Sequence, residues 1–145
     1  MNNIAILLPY KDQFIKDNAG SASIWVKDFS KTSRFRNLTT VFGYTSNTSK
    51  VFNNFKYVNL KFTKFGIQSK NLQYVNRFID VLKNNKFSLI EIHNRPSYIL
   101  HIEKYTSNNK YILVIHNNPQ TLRGAVTAKE RKRLLKVCSK ITFVN

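Results

Sequence analysis

Strand-length apolar segments alternate with helix-length amphipathic segments along this chain of 145 residues, and that order constrains the possible folds most strongly. Residues 4 to 8 are continuously apolar and stop at Pro9, which is typical of a central parallel strand covered on both faces. Further strands are predicted at residues 38–42, 57–60, 88–92, 111–115 and 140–144. Strands that alternate with helices in this way predict a parallel sheet with right-handed crossovers.

Four intervening segments have the 3.6-residue period of amphipathic helices. Gly20 and Ser21 introduce the first helix, and Ser69 is a predicted N-cap of the second. The apolar positions that set the period are Ala22, Trp25, Val26 and Phe29 in the first helix and Leu72, Val75, Phe78, Ile79 and Leu82 in the second. These two segments therefore predict helices with one buried face each.

The third and fourth helices are predicted from shorter patterns. Tyr98, Ile99, Ile102 and Tyr105 have helical spacing, and His101 within this pattern is interpreted as structural or solvated. Residues 127–130 fit a capping box, in which a Thr hydroxyl and a Glu carboxylate satisfy free helix donors. The buried side of this last helix is predicted to consist of Leu134, Leu135 and Cys138.

Composition narrows the class of protein. Hydrophobic residues make up 42% of the chain and aromatic residues 13%, enough for a packed core despite a net charge of +17. A run of about 18 apolar residues, as a membrane span requires, is absent from the sequence. The single cysteine excludes an intrachain disulfide and a cysteine zinc cage, and it fits a reducing compartment. We expect residues 1–145 to form one cytoplasmic α/β domain, with a doubly wound, mostly parallel sheet and helices on both faces.

The positive charge has two interpretations. Lys and Arg total 24 against 7 Asp and Glu, and a pI near 10.2 raises a nucleic-acid hypothesis. Lys129, Lys132 and Lys136 recur at helical spacing, and residues 55–70 interleave lysines with aromatic side chains. Such mixtures bind single-stranded nucleic acid or rest on an anionic bilayer, and the segment at residues 62–65 is predicted to join the lysine row in membrane contact. The alternative is a solvated lysine surface.

One short pattern occurs twice. His93, Asn94, Arg95 and Pro96 follow one predicted strand, and the sequence His-Asn-Asn-Pro at residues 116–119 follows the next. Both turns lie at the carboxyl ends of predicted parallel strands, the edge where open α/β sheets bind ligands. His and Asn side chains offer donors and acceptors to hydroxyls or phosphate oxygens. The pattern predicts a binding edge, and the alternative is two ordinary turns with local caps.

Gly20 and Ser21 form a second candidate site. A glycine before a helix lets a ligand approach the backbone, and the free N–H groups of the helix N-terminus favour phosphate. A single glycine is neither the G-x-G-x-x-G dinucleotide fingerprint nor a P-loop, so the sequence gives no support for a dehydrogenase or an NTPase. The alternative is a simple helix cap.

In the order and spacing of its strands, helices and turn motifs, the chain resembles the N-terminal domain of family 4 glycosyltransferases of the GT-B fold. The resemblance covers nearly all of the chain and rests on residues 4–9 with Gly20 and Ser21 opening the helix, on residues 88–99 and on residues 111–124. Residues 128–145 resemble the helix and strand that follow in the family. It implies a Rossmann-like domain that holds the acceptor of a retaining, metal-independent sugar transfer from a nucleotide-sugar. The donor is then a substrate, and no cofactor is expected.

This resemblance also implies roles for individual residues. His116 matches the histidine near the reacting sugar and is the expected catalytic residue, while Gly20 and Ser21 match positions near the donor phosphates. Acceptor-side positions are matched by His93, Asn94, Arg95 and Asn117. Ser21 departs from the Gly-Gly of the family.

The resemblance also sets the expected partners. The donor-binding C-terminal half of the family is absent from the sequence, so we expect the chain to need such a domain in cis or in trans. A glycan or lipid-linked acceptor is expected, with a peripheral location at the inner membrane surface through Lys129, Lys132 and Lys136. The alternative function is a basic, non-catalytic nucleic-acid-binding module, which the Rossmann-like pattern disfavours.

Overall fold

The computed structural model describes residues 3–62, 66–106 and 108–144. Its centre is one sheet of six strands, in which every neighbouring pair is parallel. The strands are β1 (Ile4–Leu7), β2 (Thr39–Gly43), β3 (Lys56–Asn59), β4 (Leu89–His93), β5 (Lys110–Ile115) and β6 (Cys138–Phe143). Their spatial order is β3-β2-β1-β4-β5-β6, the order of a Rossmann fold, which confirms the predicted fold class.

Four α-helices accompany the sheet, as the periodicity predicts. They are α1 (Ser21–Thr32), α2 (Lys70–Asn84), α3 (Pro96–Ile102) and α4 (Ala128–Val137), with short 3-10 helices at Arg36–Leu38, Thr48–Lys50 and Pro119–Thr121. The predicted caps are present: the Ser69 hydroxyl accepts from the N–H of Leu72, and Thr127 and Glu130 form the capping box of α4. Such caps stabilise a helix because they satisfy donors that have no partner within it.

The two faces of the sheet carry separate apolar clusters. Side chains alternate between the faces along each strand, so Ala5 and Leu7 pack with α2, α3 and α4, whereas Ile6 and Leu8 pack with α1. The larger cluster includes Phe78 and Ile99, both with no exposed surface. Helices thus cover both faces, as predicted, but unequally.

The face that α1 covers is open over β4, β5 and β6. Among the described α-helices, α1 is the one whose buried residues belong to the cluster on this face. Beside it lies a mostly apolar groove of about 330 Å³, whose wall includes Trp25, Phe29, Glu91, Ile112 and Val114. Its wall also includes Ile4, Thr39 and Leu89, the first residues of β1, β2 and β4, so the groove lies over the amino-terminal and middle parts of the strands.

Three positions predicted to face the core lie at the surface instead. Phe29 is 56% exposed because it lines the open groove over the sheet, where its ring stacks on Trp25. Tyr105 is also 56% exposed, since it follows the end of α3. Leu135 is 71% exposed on the outer side of α4, while Leu134 beside it is buried. Cys138 caps α4 and begins β6.

Candidate functional site

The two His-Asn-x-Pro turns meet at the carboxyl edge of the sheet. β4 ends at His93 and pairs with β5 so that His93 lies opposite Val114, two residues before His116. The Asn94 N–H donates to the Val114 carbonyl at 2.8 Å, and the Asn94 side-chain oxygen accepts from the His116 N–H at 3.2 Å. Asn94 adopts φ +54°, a left-handed conformation that asparagine tolerates better than most residues. Asn94 therefore joins the two turns into one unit.

A chain of hydrogen bonds connects the two histidines to a carboxylate. Nδ1 of His93 lies 3.0 Å from Nε2 of His116, and Nε2 of His93 lies 2.7 Å from Oε1 of Glu91. The His93 side chain has no exposed surface, and that of Glu91 is 13% exposed. The structure brings the two histidines together at the predicted edge, and the sequence pattern did not single out Glu91. A lone acidic residue within an apolar strand was the available signal.

Aromatic side chains of α1 cover this pair. The Trp25 ring centroid is 5.2 Å from that of His93 and 6.1 Å from that of His116, and Phe29 stacks on Trp25 at 4.7 Å. His116 and Trp25 also line an open groove of about 550 Å³, together with Ser21, Ile24, Asp28, Phe29 and Val144. An indole face beside an imidazole forms an apolar wall with a polar group, as small-molecule sites commonly have. Trp25 was predicted only as a core residue.

Burial makes His116 harder to protonate. Desolvation and the neighbouring His93 lower the pKa of His116 below its ordinary value of 6.5, while Asp12 and Glu91 act in the opposite direction. His116 is therefore neutral at physiological pH, with one ring nitrogen that donates and one that accepts.

Trp25 should report this titration. Imidazolium quenches indole fluorescence on contact, so we expect emission of this single tryptophan to fall on acidification, with a midpoint below 6.5. The pKa of His116 is lower in the folded protein than in the unfolded chain. The free energy of unfolding should therefore also decrease as the pH falls from 6.5 through the pKa of the folded state.

His116→Gln should shift or remove the fluorescence transition, whereas His101→Gln should leave it intact. An unchanged transition in His116→Gln would contradict the assignment.

The N-terminus of α1 already has an anionic partner. The Asp12 carboxylate accepts from the N–H groups of Ala22 at 3.0 Å and Ser23 at 3.2 Å. A Cβ built on Gly20 would lie 2.5 Å from Cγ of Asp12, so glycine is needed for this carboxylate to approach. A phosphate site near Gly20 and Ser21 stays a prediction. A phosphate bound there would compete with the Asp12 carboxylate for these N–H groups.

We expect Asp12→Ala to lower the free energy of unfolding by about 1 kcal/mol, because two donors at the start of α1 lose their partner. Urea denaturation monitored by circular dichroism measures the change. Asp17→Ala is the matched control, since Asp17 is an exposed residue that pairs with Lys50 at the surface. Equal losses in both variants would show that Asp12 is not the cap.

The remaining predicted acceptor positions differ in access. His93 and Asn94 are buried, so a direct contact of their side chains with an acceptor stays a prediction without geometric support. Asn117 is exposed, and Arg95 is partly exposed, with its guanidinium donating to the Asn94 carbonyl at 2.8 Å. The proline that ends each turn begins a helix, since Pro96 starts α3 and Pro119 starts a 3-10 helix.

The predicted basic surface is present on α4. Lys129, Lys132 and Lys136 are exposed there. The neighbouring arginines are occupied: Arg131 donates to the carbonyls of Ala125 and Val126, and Arg133 pairs with Glu103. Of the predicted contact segment at residues 62–65, Phe62 packs against Tyr10 and Tyr44, and the other three residues lie outside the described part of the chain.

The described residues contain no group of three or more His, Cys, Asp and Glu side chains placed to hold a metal ion. None of the helices they form is both long and apolar enough to cross a membrane.

Comparison with known proteins gives no assignment. No model of a known protein family matches the chain, and no curated protein matches it either.

Proposed function

We propose that this chain is the acceptor-side, N-terminal domain of a GT-B glycosyltransferase similar to family 4. The observation that carries the proposal is the meeting of the two His-Asn-x-Pro turns as one hydrogen-bonded unit at the carboxyl edge of the sheet. This edge lies beside the junction of β1 and β4, where the direction of the strand order reverses. Ligands of open α/β sheets bind at such switch points.

The groove beside His116 suits a sugar. Trp25 and Phe29 form an apolar wall against which a pyranose can pack, and the neutral His116 ring can form a hydrogen bond with a hydroxyl. Ser21 lines the same groove, so the donor phosphates are proposed beside Gly20 and Ser21, where they would lie next to the Asp12 carboxylate at the N-terminus of α1. In this proposal His116 is the catalytic residue, and a nucleotide-sugar is the donor in a retaining, metal-independent transfer.

Acceptor binding is proposed for the outer residues of the two turns. Asn117 and Arg95 have access to solvent, so they are the proposed direct contacts. His93 and Asn94 lie behind them and support His116 and its backbone. The proposed acceptor is a glycan or a lipid-linked glycan, and the donor-binding domain is supplied in cis or in trans.

A transfer assay tests the proposal. The chain is fused at its C-terminal end to the donor-binding domain of a family 4 glycosyltransferase and incubated with a panel of radiolabelled nucleotide-sugars and saccharide acceptors. We expect transfer by the fusion and none by residues 1–145 or by the donor-binding domain alone. Efficient transfer by residues 1–145 alone would contradict the half-site account, and a panel without any transfer by the fusion would count against glycosyl transfer.

We also propose that the exposed lysine row of α4 holds the protein reversibly at an anionic membrane. Each cation near such a surface contributes about 1 kcal/mol, and the attraction is screened by salt. Binding to vesicles should therefore rise with the fraction of anionic lipid and fall with salt. Reversal of Lys129, Lys132 and Lys136 to Glu should abolish co-sedimentation with the vesicles.

The control reverses three exposed lysines elsewhere, Lys16, Lys61 and Lys110, which changes the net charge by the same amount. If both triple variants lose binding equally, the attraction comes from net charge rather than from α4. Unchanged binding after reversal of the α4 row would make that row a solvated surface.

A further inference from the structure

Glu91, His93 and His116 form a linear arrangement that ends at the groove. The carboxylate of Glu91 contacts one nitrogen of the His93 ring at 2.7 Å, and the other nitrogen of that ring contacts Nε2 of His116 at 3.0 Å. Glu91 and His93 lie on the same strand and on the same face of the sheet, two residues apart. His116 alone of the three lines the open groove of about 550 Å³ beside Ser21 and Trp25.

Hydrogen-bonding rules fix where the protons lie in this arrangement. An ionised carboxylate can only accept hydrogen bonds, so with Glu91 in this form Nε2 of His93 carries a proton and donates it. The ring of a neutral histidine has one donor and one acceptor, so Nδ1 of His93 is then the acceptor. Nε2 of His116 must therefore carry the proton that lies between the two rings. The remaining nitrogen of His116, Nδ1, keeps its lone pair.

We propose that Glu91 and His93 are positioning residues that hold His116 as the Nε2–H tautomer and so present its Nδ1 as an acceptor for a ligand hydroxyl. A carboxylate that orients a histidine through its second nitrogen is an established way to fix a tautomer. The tautomer follows from the hydrogen bonds with Glu91 ionised and His93 neutral, and the nature of the hydroxyl, a sugar hydroxyl, rests on the proposed function. Nδ1 of His116 has no hydrogen-bond partner among the described residues, so a ligand can supply one.

The same arrangement can take up one proton from the ligand. When the ligand O–H bond breaks and its proton binds Nδ1 of His116, the proton on Nε2 passes to Nδ1 of His93. His93 then becomes an imidazolium that donates to both His116 and the Glu91 carboxylate, and His116 is neutral again. The positive charge then lies on His93, next to Glu91, rather than in the groove that His116 lines. The ligand keeps the electron pair of the broken bond on its oxygen.

Nitrogen-15 NMR of the histidine rings tests the tautomers without donor, acceptor or turnover. The chain contains three histidines, so long-range correlation spectra give three spin systems, which His101→Gln and His116→Gln variants assign. At pH 8 we expect both His93 and His116 to have a protonated Nε2 and an unprotonated Nδ1. A protonated Nδ1 on His116 in the unmodified protein would overturn the proposal.

Three substitutions separate the hydrogen bond from the charge. Glu91→Leu removes the acceptor, and we expect mixed tautomers on His93 and His116. Glu91→Gln keeps an acceptor oxygen but not the charge, so the tautomers should persist while the pKa of His116 falls further, because the Glu91 charge raises it. Asp28→Asn removes a charge from the same groove and should leave the tautomers as they are.

Several charged or titratable groups face His116. They are His93 and Glu91 on β4, Asp12 before α1 and Asp28 on α1. Because His93, Glu91 and Asp12 all affect the pKa of His116, the experiment measures how its titration midpoint differs between each variant and the unmodified protein.

Spectra of Glu91→Leu with unchanged tautomers would overturn the proposal. If that variant does not fold, the unmodified spectrum and the titration of Glu91→Gln decide instead, and an unchanged midpoint in Glu91→Gln counts against the proposal. A failed transfer assay with the expected tautomers would contradict the proposed function and leave the arrangement standing. The reverse outcome would contradict the arrangement alone.

Discussion

Replacing His116 by Ala should reduce sugar transfer by the fused enzyme about 100-fold or more, in the range measured when one stabilising polar group is removed from an active site. His116 is the one member of the histidine pair that lines the groove, so its loss leaves no imidazole in contact with the proposed ligand. The loss should appear in kcat and leave KM nearly unchanged, because removing an interaction that forms in the transition state lowers kcat and kcat/KM together.

The control for this prediction is His101→Ala. His101 is bonded to Asn76 between α2 and α3 and is absent from the groove beside His116. We expect this variant to keep transfer within about twofold once its stability is matched, since distant sites act independently. Wild-type rates in His116→Ala would end the assignment of His116 as the catalytic residue.

The largest effect on stability is expected for Phe78→Ala, which should lower the free energy of unfolding by about 3–5 kcal/mol. Phe78 on α2 has no exposed surface and packs edge-on against Phe42 of β2 with ring centroids 5.1 Å apart. Removing the ring leaves a cavity where α2 meets the sheet. Urea unfolding of both proteins measures the difference.

Phe29→Ala is the matched control, because Phe29 is also on a helix but is 56% exposed. Its contacts are mainly the stacking on Trp25, so we expect a loss of about 1 kcal/mol or less. Similar losses in both variants would contradict the placement of Phe78 in the larger apolar cluster.

Much of the fold could be predicted because burial leaves a strong pattern in the sequence. The continuous apolar run at residues 4–8 predicts a strand covered on both faces, and β1 occupies the middle of the sheet. The capping signals at Ser69 and Thr127 fix the starts of α2 and α4. Periodicity alone does not show which apolar positions a neighbouring element covers, so it predicts burial for Phe29, which lines an open groove, and for Leu135, which lies on the outer side of α4.

The site could be predicted in part. Because parallel strands end at one edge, the repeated turn predicts that both turns lie at the same edge, and the structure adds that His93 and His116 are in hydrogen-bond contact there. Which of the two lines the groove depends on α1, which places Trp25 over the buried His93. The sequence does not predict that Asp12 caps α1, because this contact arises from a loop that folds back onto the helix and leaves no periodic signal.

The central claim is that a sugar binds at the carboxyl edge of the sheet against His116 and Trp25. The most direct test is NMR of the fused enzyme with nucleotide-sugar and saccharide acceptor added, observing the ring signals of the histidines and the indole N–H of the single tryptophan. The account predicts changes in the signals of His116 and Trp25, with those of His101 unaltered. Binding that leaves the signals of both His116 and Trp25 unchanged would contradict it.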